Sequence, residues 1–228
     1  MKMNNLLQMR KKNPGIQIMT TANPEFRHYG RRWTEFTLPE MVAMAGEILP
    51  IRPDGVAYVP SVPALEALTA EMEAVRQSVF GDMPIQIGYC SGQNRRMGGM
   101  EFHQGSELIV ALTDSVLLLG TYDTLHEKDG SFSMDSGEMK AFFLACGEMV
   151  ELYGGVMHYA PVQVEAKGFL TLILLPRGTN TALSAKVANA PADKLLVARN
   201  KWLITHPDAG YGYQGMTGEN ITFHLIEE

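Results

Sequence analysis

The sequence predicts a mainly β protein, an antiparallel sandwich or barrel with helices ahead of it, and three observations carry that prediction. After Asp82, short apolar runs are separated by turn-forming residues: Cys90-Ser91-Gly92, Thr113-Asp114, Lys128-Asp129-Gly130, Asp135-Ser136-Gly137, Gly154-Gly155 and Lys167-Gly168. Many short strands at such spacing indicate packed or rolled-up antiparallel sheets. Helical periodicity precedes this region rather than alternating with it, which argues against a parallel α/β sheet. Lastly, Glu101, His103 and Glu107 share one parity within a strand-like stretch, so two carboxylates and an imidazole are expected on one wall.

Taken in order, residues 1–23 are polar and mixed, with a Pro14-Gly15 turn signal, and predict a short helix or a loose arm. Residues 38–49 are helix-compatible, with Pro39 near the start. Asp54-Gly55 marks a turn before a short strand at 56–59. Residues 61–80 give the clearest helix, capped by Ser61, with Leu65, Leu68, Met72, Val75 and Val79 forming one apolar stripe. Such a stripe is core packing. Strands are expected at 85–89, 97–103, 107–112, 116–122, 139–145, 149–152, 156–159, 162–165 and 169–174. Beyond Pro176-Arg177-Gly178 the pattern weakens. A short helix at 192–201, an edge strand at 202–204 and a closing strand at 221–226 are expected there. The run Gly210 to Gly215 reads as loop; it lacks the Gly-Lys-Ser/Thr and following helix of a phosphate loop.

The chain of 228 residues is expected to be a single domain that buries its own core. Its formal charge of −6 argues against general nucleic-acid binding, which needs clustered Lys and Arg. The one basic cluster, Arg10-Lys11-Lys12, reads as a solvated end. Cys90 and Cys146 stand alone without a CxxC, which predicts free thiols in a reducing compartment. The N-terminus has charge but no apolar stretch behind it, and no apolar run approaches the ~20 residues of a membrane span. A cytoplasmic location without membrane attachment is therefore expected.

Glu101, His103, Glu107 and His158 form a candidate set of two imidazoles and two carboxylates. His158 arrives on a separate strand signal, Gly147 to His158. Nitrogen and oxygen donors in this mixture suit Zn²⁺, Mn²⁺, Fe²⁺ or Ni²⁺. No thiolate is near in sequence, so a closed structural zinc cage is not expected. Glu101 is alternatively a general base beside the other three. The segment Tyr89 to Arg96 is rich in hydrogen-bonding groups, so Gln93, Asn94 and Arg95 are candidates to hold a small-molecule substrate through hydroxyls or a carboxylate. Gln86 and Tyr89 are expected to face the pocket, and Tyr153 and Lys140 are further candidates.

The strand order and these motifs resemble the cupin superfamily. Its first motif, His-x-His followed by Glu, corresponds to Glu101-x-His103-x3-Glu107, with glutamate replacing the first histidine. Its flanking glycines are displaced here, at Gly98, Gly99 and Gly120. Its second motif, Gly-x5-Pro-x-Gly-x2-His-x3-Asn, finds Gly147, Gly155 and His158 in register, while Tyr153 replaces the proline and Val162 the asparagine. The resemblance implies an antiparallel jelly-roll β-barrel (RmlC-like) with a metal or substrate pocket inside.

Within that superfamily the chain is similar to ureidoglycolate lyase over residues 24–180, through Phe26-Arg27-His28-Tyr29-Gly30, Met100-Glu101-Phe102-His103, the stretch from Lys140 to His158, Gly168 to Thr171, and Arg177-Gly178. On that alignment the helix at 61–80 is an insertion and 181–228 a C-terminal extension. The lyase family carries Gln at the Glu107 position, and the acid here favours a fuller metal site. The run Glu-aromatic-His-x-x-Ser-Glu also resembles an uncharacterised bacterial cupin family.

Four functions are therefore expected candidates: a metal-dependent lyase or isomerase on a small polyhydroxy acid, ureido acid or sugar; a metal-free lyase with Glu101 and His158 as catalytic base and acid; a non-catalytic barrel that binds a sugar or acid; or, ranked below these, a dioxygenase, since iron also suits two histidines and carboxylates. The resemblance further implies a homodimer.

Overall fold

The computed structural model describes residues 2–185 and 188–227, with side chains from residue 4 onward. The N-terminal half holds helix α1 (Lys2–Lys12), strands β1 (Ile18–Thr20) and β2 (Gly30–Arg32), helix α2 (Pro39–Ile48), strand β3 (Val56–Val59), and helices α3 (Pro63–Glu66) and α4 (Thr69–Ser78). Strands follow: β4 (Ile85–Gly92), β5 (Gly99–Phe102), β6 (Glu107–Ala111), β7 (Ser115–Leu119), β8 (His126–Lys128), β9 (Ser131–Asp135) and β10 (Lys140–Leu144). The rest comprises β11 (Met149–Leu152), β12 (Val162–Gln163), β13 (Phe169–Pro176), β14 (Leu196–Ala198), β15 (Lys201–Thr205) and β16 (Met216–Thr217).

The largest sheet has six strands in the order β2-β11-β6-β13-β4-β3, every neighbour antiparallel. A second sheet runs β1-β10-β7-β12, antiparallel apart from the parallel β1–β10 pair. Ile109, Val150 and Ile173 of the first sheet share one buried cluster with Leu117, Leu119 and Phe142 of the second, so the two pack face to face. The other face of the six-stranded sheet presents Ile87, Leu108, Val110 and Leu174 to Met41, Ala45, Leu65 and Val75 of the helices. Adjacent residues thus bury opposite faces of one strand, which is why β6 and β13 read as continuous apolar runs rather than as alternation. The outer face of the four-stranded sheet is covered by Leu6 and Met9 of α1 and by Ile204, Met216 and Phe223 of the C-terminal segment.

The mainly β, antiparallel expectation holds, but among the described residues the ladders form four separate sheets and none closes into a barrel. The cause lies at β5. It pairs with β15 in the small sheet β14-β15-β5 instead of joining either large sheet. The expected strand at 156–159 is correspondingly reduced to two isolated bridges, Gly120–Met157 and Glu101–His158.

Other boundaries differ for local reasons. The helix expected at 61–80 is two helices with one shared apolar face. Ser61 does not cap it; its hydroxyl donates to Glu66 Oε1 at 2.8 Å, and Ile87 N–H donates to the same oxygen at 3.1 Å. Glu66 so ties α3 to β4, and α4 starts afresh. Residues expected as a helix at 192–201 form a short 3₁₀ turn (Pro191–Lys194) and then β14. The expected edge strand at 202–204 is the middle strand of its sheet, and 221–226 forms no strand beyond a bridge between Arg96 and Thr222. No helix among the described residues is long and apolar enough to cross a membrane.

The first N–H groups of α2 have no side-chain cap of their own. Glu71 of α4 supplies one instead, accepting from Glu40 N–H at 2.9 Å and Met41 N–H at 2.8 Å. Replacing it (Glu71→Ala) is expected to lower stability by about 1 kcal/mol, read as a shift of the urea midpoint without a change in slope.

Candidate metal centre

Backbone pairing brings the two distant motifs together. Glu101 and His158 face each other as an antiparallel bridge: Glu101 N–H donates to His158 O at 2.6 Å, and His158 N–H donates to Glu101 O at 2.9 Å. The turn Gly154-Gly155 makes this approach feasible. Gly155 adopts φ +83°, a region costly for a residue with a Cβ, and its N–H donates to His103 O at 2.7 Å. Glu101, His103 and Glu107 do not lie on one strand as their parity suggested. The chain leaves β5 after Phe102, turns through Gln104-Gly105 and enters β6 at Glu107. The turn crosses from the small sheet to the six-stranded one, and convergence comes from that crossing.

All four side chains are buried: Glu101 is 7%, His103 1%, Glu107 6% and His158 5% exposed. His103 Nε2 lies 3.4 Å from Glu107 Oε2 and 3.7 Å from Glu101 Oε1, and His158 Nε2 lies 3.3 Å from Glu107 Oε2. The two rings meet edge to face with centroids 5.2 Å apart. Donor atoms of Glu101, His103 and His158 all fall within 4.8 Å of one another.

The imidazoles are locked from behind. His103 Nδ1 is 2.7 Å from Asn200 O, and His158 Nδ1 is 2.9 Å from Val156 O. A carbonyl oxygen only accepts, so each Nδ1 carries the hydrogen and each neutral ring presents its lone pair at Nε2. Both Nε2 atoms are buried without a hydrogen bond, and what they face is carboxylate oxygen. Opposed lone pairs at low dielectric require a cation between them. Either a proton or a metal ion meets that requirement, and the backing of a ring N–H by a carbonyl is how metal-ligating histidines are oriented. The residues therefore fit a divalent ion.

Lys201 forms an ion pair with Glu101 Oε2, which leaves Oε1 turned to His103. With both imidazoles neutral, two carboxylates and one ammonium leave the cluster one charge negative. Without a metal, a proton takes the cation's place. Burial alone would push His158 down, but Glu107 outweighs it and holds the imidazole up at about 9. Burial would likewise raise Glu107, yet His158 and His103 hold its carboxyl well below the usual carboxylate range.

These side chains lie at one end of a cavity of about 570 Å³, whose walls include Glu101, Glu107 and His158. Two of the residues expected to bind substrate line it. Gln93 does so while accepting from Gln163 Nε2 at 2.7 Å, and Asn94 does so with its amide spent on Ala160 O at 3.0 Å and Pro161 O at 3.2 Å. Four do not. Gln86 has both ends of its amide engaged, donating to Thr179 O at 2.9 Å and accepting from Gly178 N–H at 2.7 Å. Tyr89 packs on the helix side of its sheet, because the neighbouring Cys90 takes the cavity side. Arg95 is exposed outside the cavity, and its neighbour Arg96 takes the lining position instead. Tyr153 is 40% exposed, on the far side of the Gly154-Gly155 turn. Lys140 also lies away from the cavity, at the start of β10.

Tyr58, Tyr159, Asn180, Lys201 and Tyr211 also line the cavity and were not anticipated. Asn200 comes from the β14–β15 turn and Lys201 opens β15, both in the segment read as an extension. Asn200 adopts φ +57°, presents its carbonyl to His103 and accepts Gln104 N–H on Oδ1 at 2.9 Å. An Asn-Lys pair ahead of a strand is a turn signal, but nothing in it identifies the distant residue that the turn contacts.

Fold and site together define a class: a mainly antiparallel β protein with an acid–imidazole cluster buried in a cavity between its sheets. The chain belongs to the family described as a domain of unknown function, DUF4867, whose pattern it matches over residues 18–221. That match takes in β14, β15 and the turn between them, and with them Asn200 and Lys201. No curated protein matches the sequence. Among solved structures, the chain is similar to an oxalate decarboxylase studied for proton-coupled electron transfer, at 12% identity and a TM-score of 0.33, covering 57% of this chain and 28% of that one. A Bacillus subtilis oxalate decarboxylase studied for its Mn(II) centres shows 9% identity and a TM-score of 0.31, covering 56% and 27%. The chain thus spans just over a quarter of the length of those structures.

The electrostatics make a prediction for protein stripped with a chelator. A folded-state pKa for His158 raised from 6.5 to about 9 gives stability that is full below 6.5 and lost as pH rises through 9. The melting temperature should fall across that window and do so less steeply in His158→Gln; a flat wild-type profile contradicts the pairing. The lowered Glu107 acts at the other end, its contribution being lost as pH falls below its ordinary value of 4.5.

Proposed function

We propose that this protein is a metal-dependent enzyme of the cupin type, with the sheets around the cavity corresponding to the two faces of a jelly roll. Its reaction is a lyase or isomerase step on a small polyhydroxy acid, ureido acid or sugar. The observation that carries the reading is the pair of buried imidazoles locked through Nδ1, with both Nε2 lone pairs turned on carboxylates at the cavity wall. His103 and His158 would hold a divalent ion together with carboxylate oxygens of Glu101, within 4.8 Å of their donor atoms, and of Glu107, which faces both rings. A metal there would supply Lewis acidity to a hydroxyl or carbonyl oxygen. Zn, Mn, Fe and Ni all accept such donors.

The chain's own residues supply the rest. Glu101 keeps one carboxylate oxygen on Lys201 and the other toward the site, which suits it to move a proton between substrate atoms. Lys201 fixes that carboxylate's orientation. Arg96, on the cavity lining, offers a charged fork for a substrate carboxylate.

A second reading rests on the proton that Glu107 holds on His158 in the absence of metal. His158 would then be the acid and Glu101 the base of a metal-free lyase on ureidoglycolate. Elemental analysis of the purified protein separates the two. The metal reading expects about one divalent ion per chain, lost from His103→Ala and from His158→Ala, with the melting temperature lowered by chelator and restored by the same ion. Protein that carries no metal, and that releases urea and glyoxylate from ureidoglycolate in the presence of chelator, establishes the second reading and removes the first.

A further inference from the structure

One part of the cavity wall is left chemically incomplete. Tyr58 lies on β3 opposite Cys90 of β4, and both residues line the cavity. Its hydroxyl is buried, and the Asn180 and Gln86 side chains approach it without forming a hydrogen bond of good geometry. Asn180, just beyond β13, lines the same cavity, and its Oδ1 is likewise buried and unsatisfied. Asn180 is held firmly: its backbone adopts φ +64°, and its N–H donates to Arg199 O at 2.9 Å. Gln86 braces the turn ahead of it through Gly178 and Thr179. Two buried polar groups without a well-formed hydrogen bond are costly, and such groups recur where a ligand completes them.

From these atoms, and on the reading of this cavity as the active site, we propose that Tyr58 and Asn180 form a subsite that recognises a substrate hydroxyl, so that the substrate is a polyhydroxy acid or sugar rather than a plain carboxylate. A hydroxyl accepts from Tyr58 O–H and donates to Asn180 Oδ1, completing both. A carbonyl or carboxylate oxygen only accepts, and would leave Asn180 Oδ1 bare. Burial raises the Tyr58 pKa and outweighs the lowering influence of the Asn180 and Gln86 side chains, which keeps the phenol a donor at neutral pH. A site built to hydrogen-bond a hydroxyl discriminates strongly against analogues that lack it, since its own groups are then stranded.

The test is calorimetric titration of the metal-loaded protein with the four D-pentonates and four D-aldopentoses, and with glutarate, which has five carbons and no hydroxyl. At least one polyhydroxy probe is expected to bind. Tyr58→Phe and Asn180→Gly should each weaken it by about tenfold or more; glycine keeps the left-handed backbone. Glutarate should bind far more weakly and be indifferent to both changes. Because Tyr58→Phe deletes an unsatisfied buried hydroxyl, the variant should melt no lower than wild type, which separates lost recognition from lost folding. Binding of no polyhydroxy probe, glutarate binding as tightly, or a Tyr58→Phe variant with unchanged affinity overturns the proposal. Should the purified protein prove metal-free, the metal reading fails on its own measurement, and the same titrations on the metal-free chain still decide the subsite.

Discussion

The two backbone hydrogen bonds exchanged by Glu101 and His158 are the constraint on which the site depends. They are the ladder contact that binds β5 to the later motif, and they set the height at which His158 faces Glu107. Each ring is then oriented by a carbonyl rather than by another side chain. A backbone carbonyl cannot change protonation or rotamer, so the Nε2 lone pairs stay aimed whatever occupies the space before them. The cluster is thus organised by backbone atoms of the fold itself.

The C-terminal segment takes part in this organisation. β15 pairs with β5 along its whole length, Leu203 lying opposite Glu101, and the turn before β15 places Asn200 O on His103 and Lys201 on Glu101. One short turn thereby serves both members of the β5 motif. It also explains why the sheets stay separate. β15 occupies the edge of β5 that a closed barrel would give to another strand.

Much of the fold was legible because its signals are periodic or repeated. Strands β4, β6, β10, β11 and β13 were readable as apolar runs between turn residues, and the convergence of His103 with His158 was readable from two spaced motifs. What escaped has a physical reason in each case. The parity argument assumed one continuous strand from Glu101 to Glu107, whereas Gln104-Gly105 turns the chain, and a two-residue turn is invisible to a period-two pattern. Tyr89 and Arg95 each missed the cavity by one position: side chains alternate across β4, so a single step places Cys90 inside and Tyr89 out, and in the irregular stretch after β4 Arg96 takes the lining position instead of Arg95. Gln86 sits on the correct face but is consumed by the Gly178 turn. Tyr58, Asn180 and Lys201 belong to an edge strand, a turn and the first position of β15, where no repeat marks the residues that reach the site.

The distribution of unsatisfied atoms ties these points together. Among the described residues, the buried side-chain atoms without hydrogen bonds include Ser115 Oγ and Gln163 Oε1 of the β7–β12 pair, but His103 Nε2, His158 Nε2, Tyr58 OH and Asn180 Oδ1 lie in or beside one cavity. Scattered at random through the core, such atoms would be defects that each cost about 1–3 kcal/mol, and packing or water would be expected to remove them. Gathered around one hollow, they form two complementary halves. The imidazole half offers lone pairs and negative charge, which call for a cation. The Tyr58–Asn180 half offers one donor and one acceptor, which call for a neutral group that can do both. The proposed metal ion and hydroxyl-bearing substrate would satisfy these two demands without overlap, whereas a second cation or a second carboxylate would satisfy only one. The unmet hydrogen-bonding demand of the cavity wall is thus specific in chemistry as well as in place, which is the argument for reading it as a binding site rather than a gap in packing.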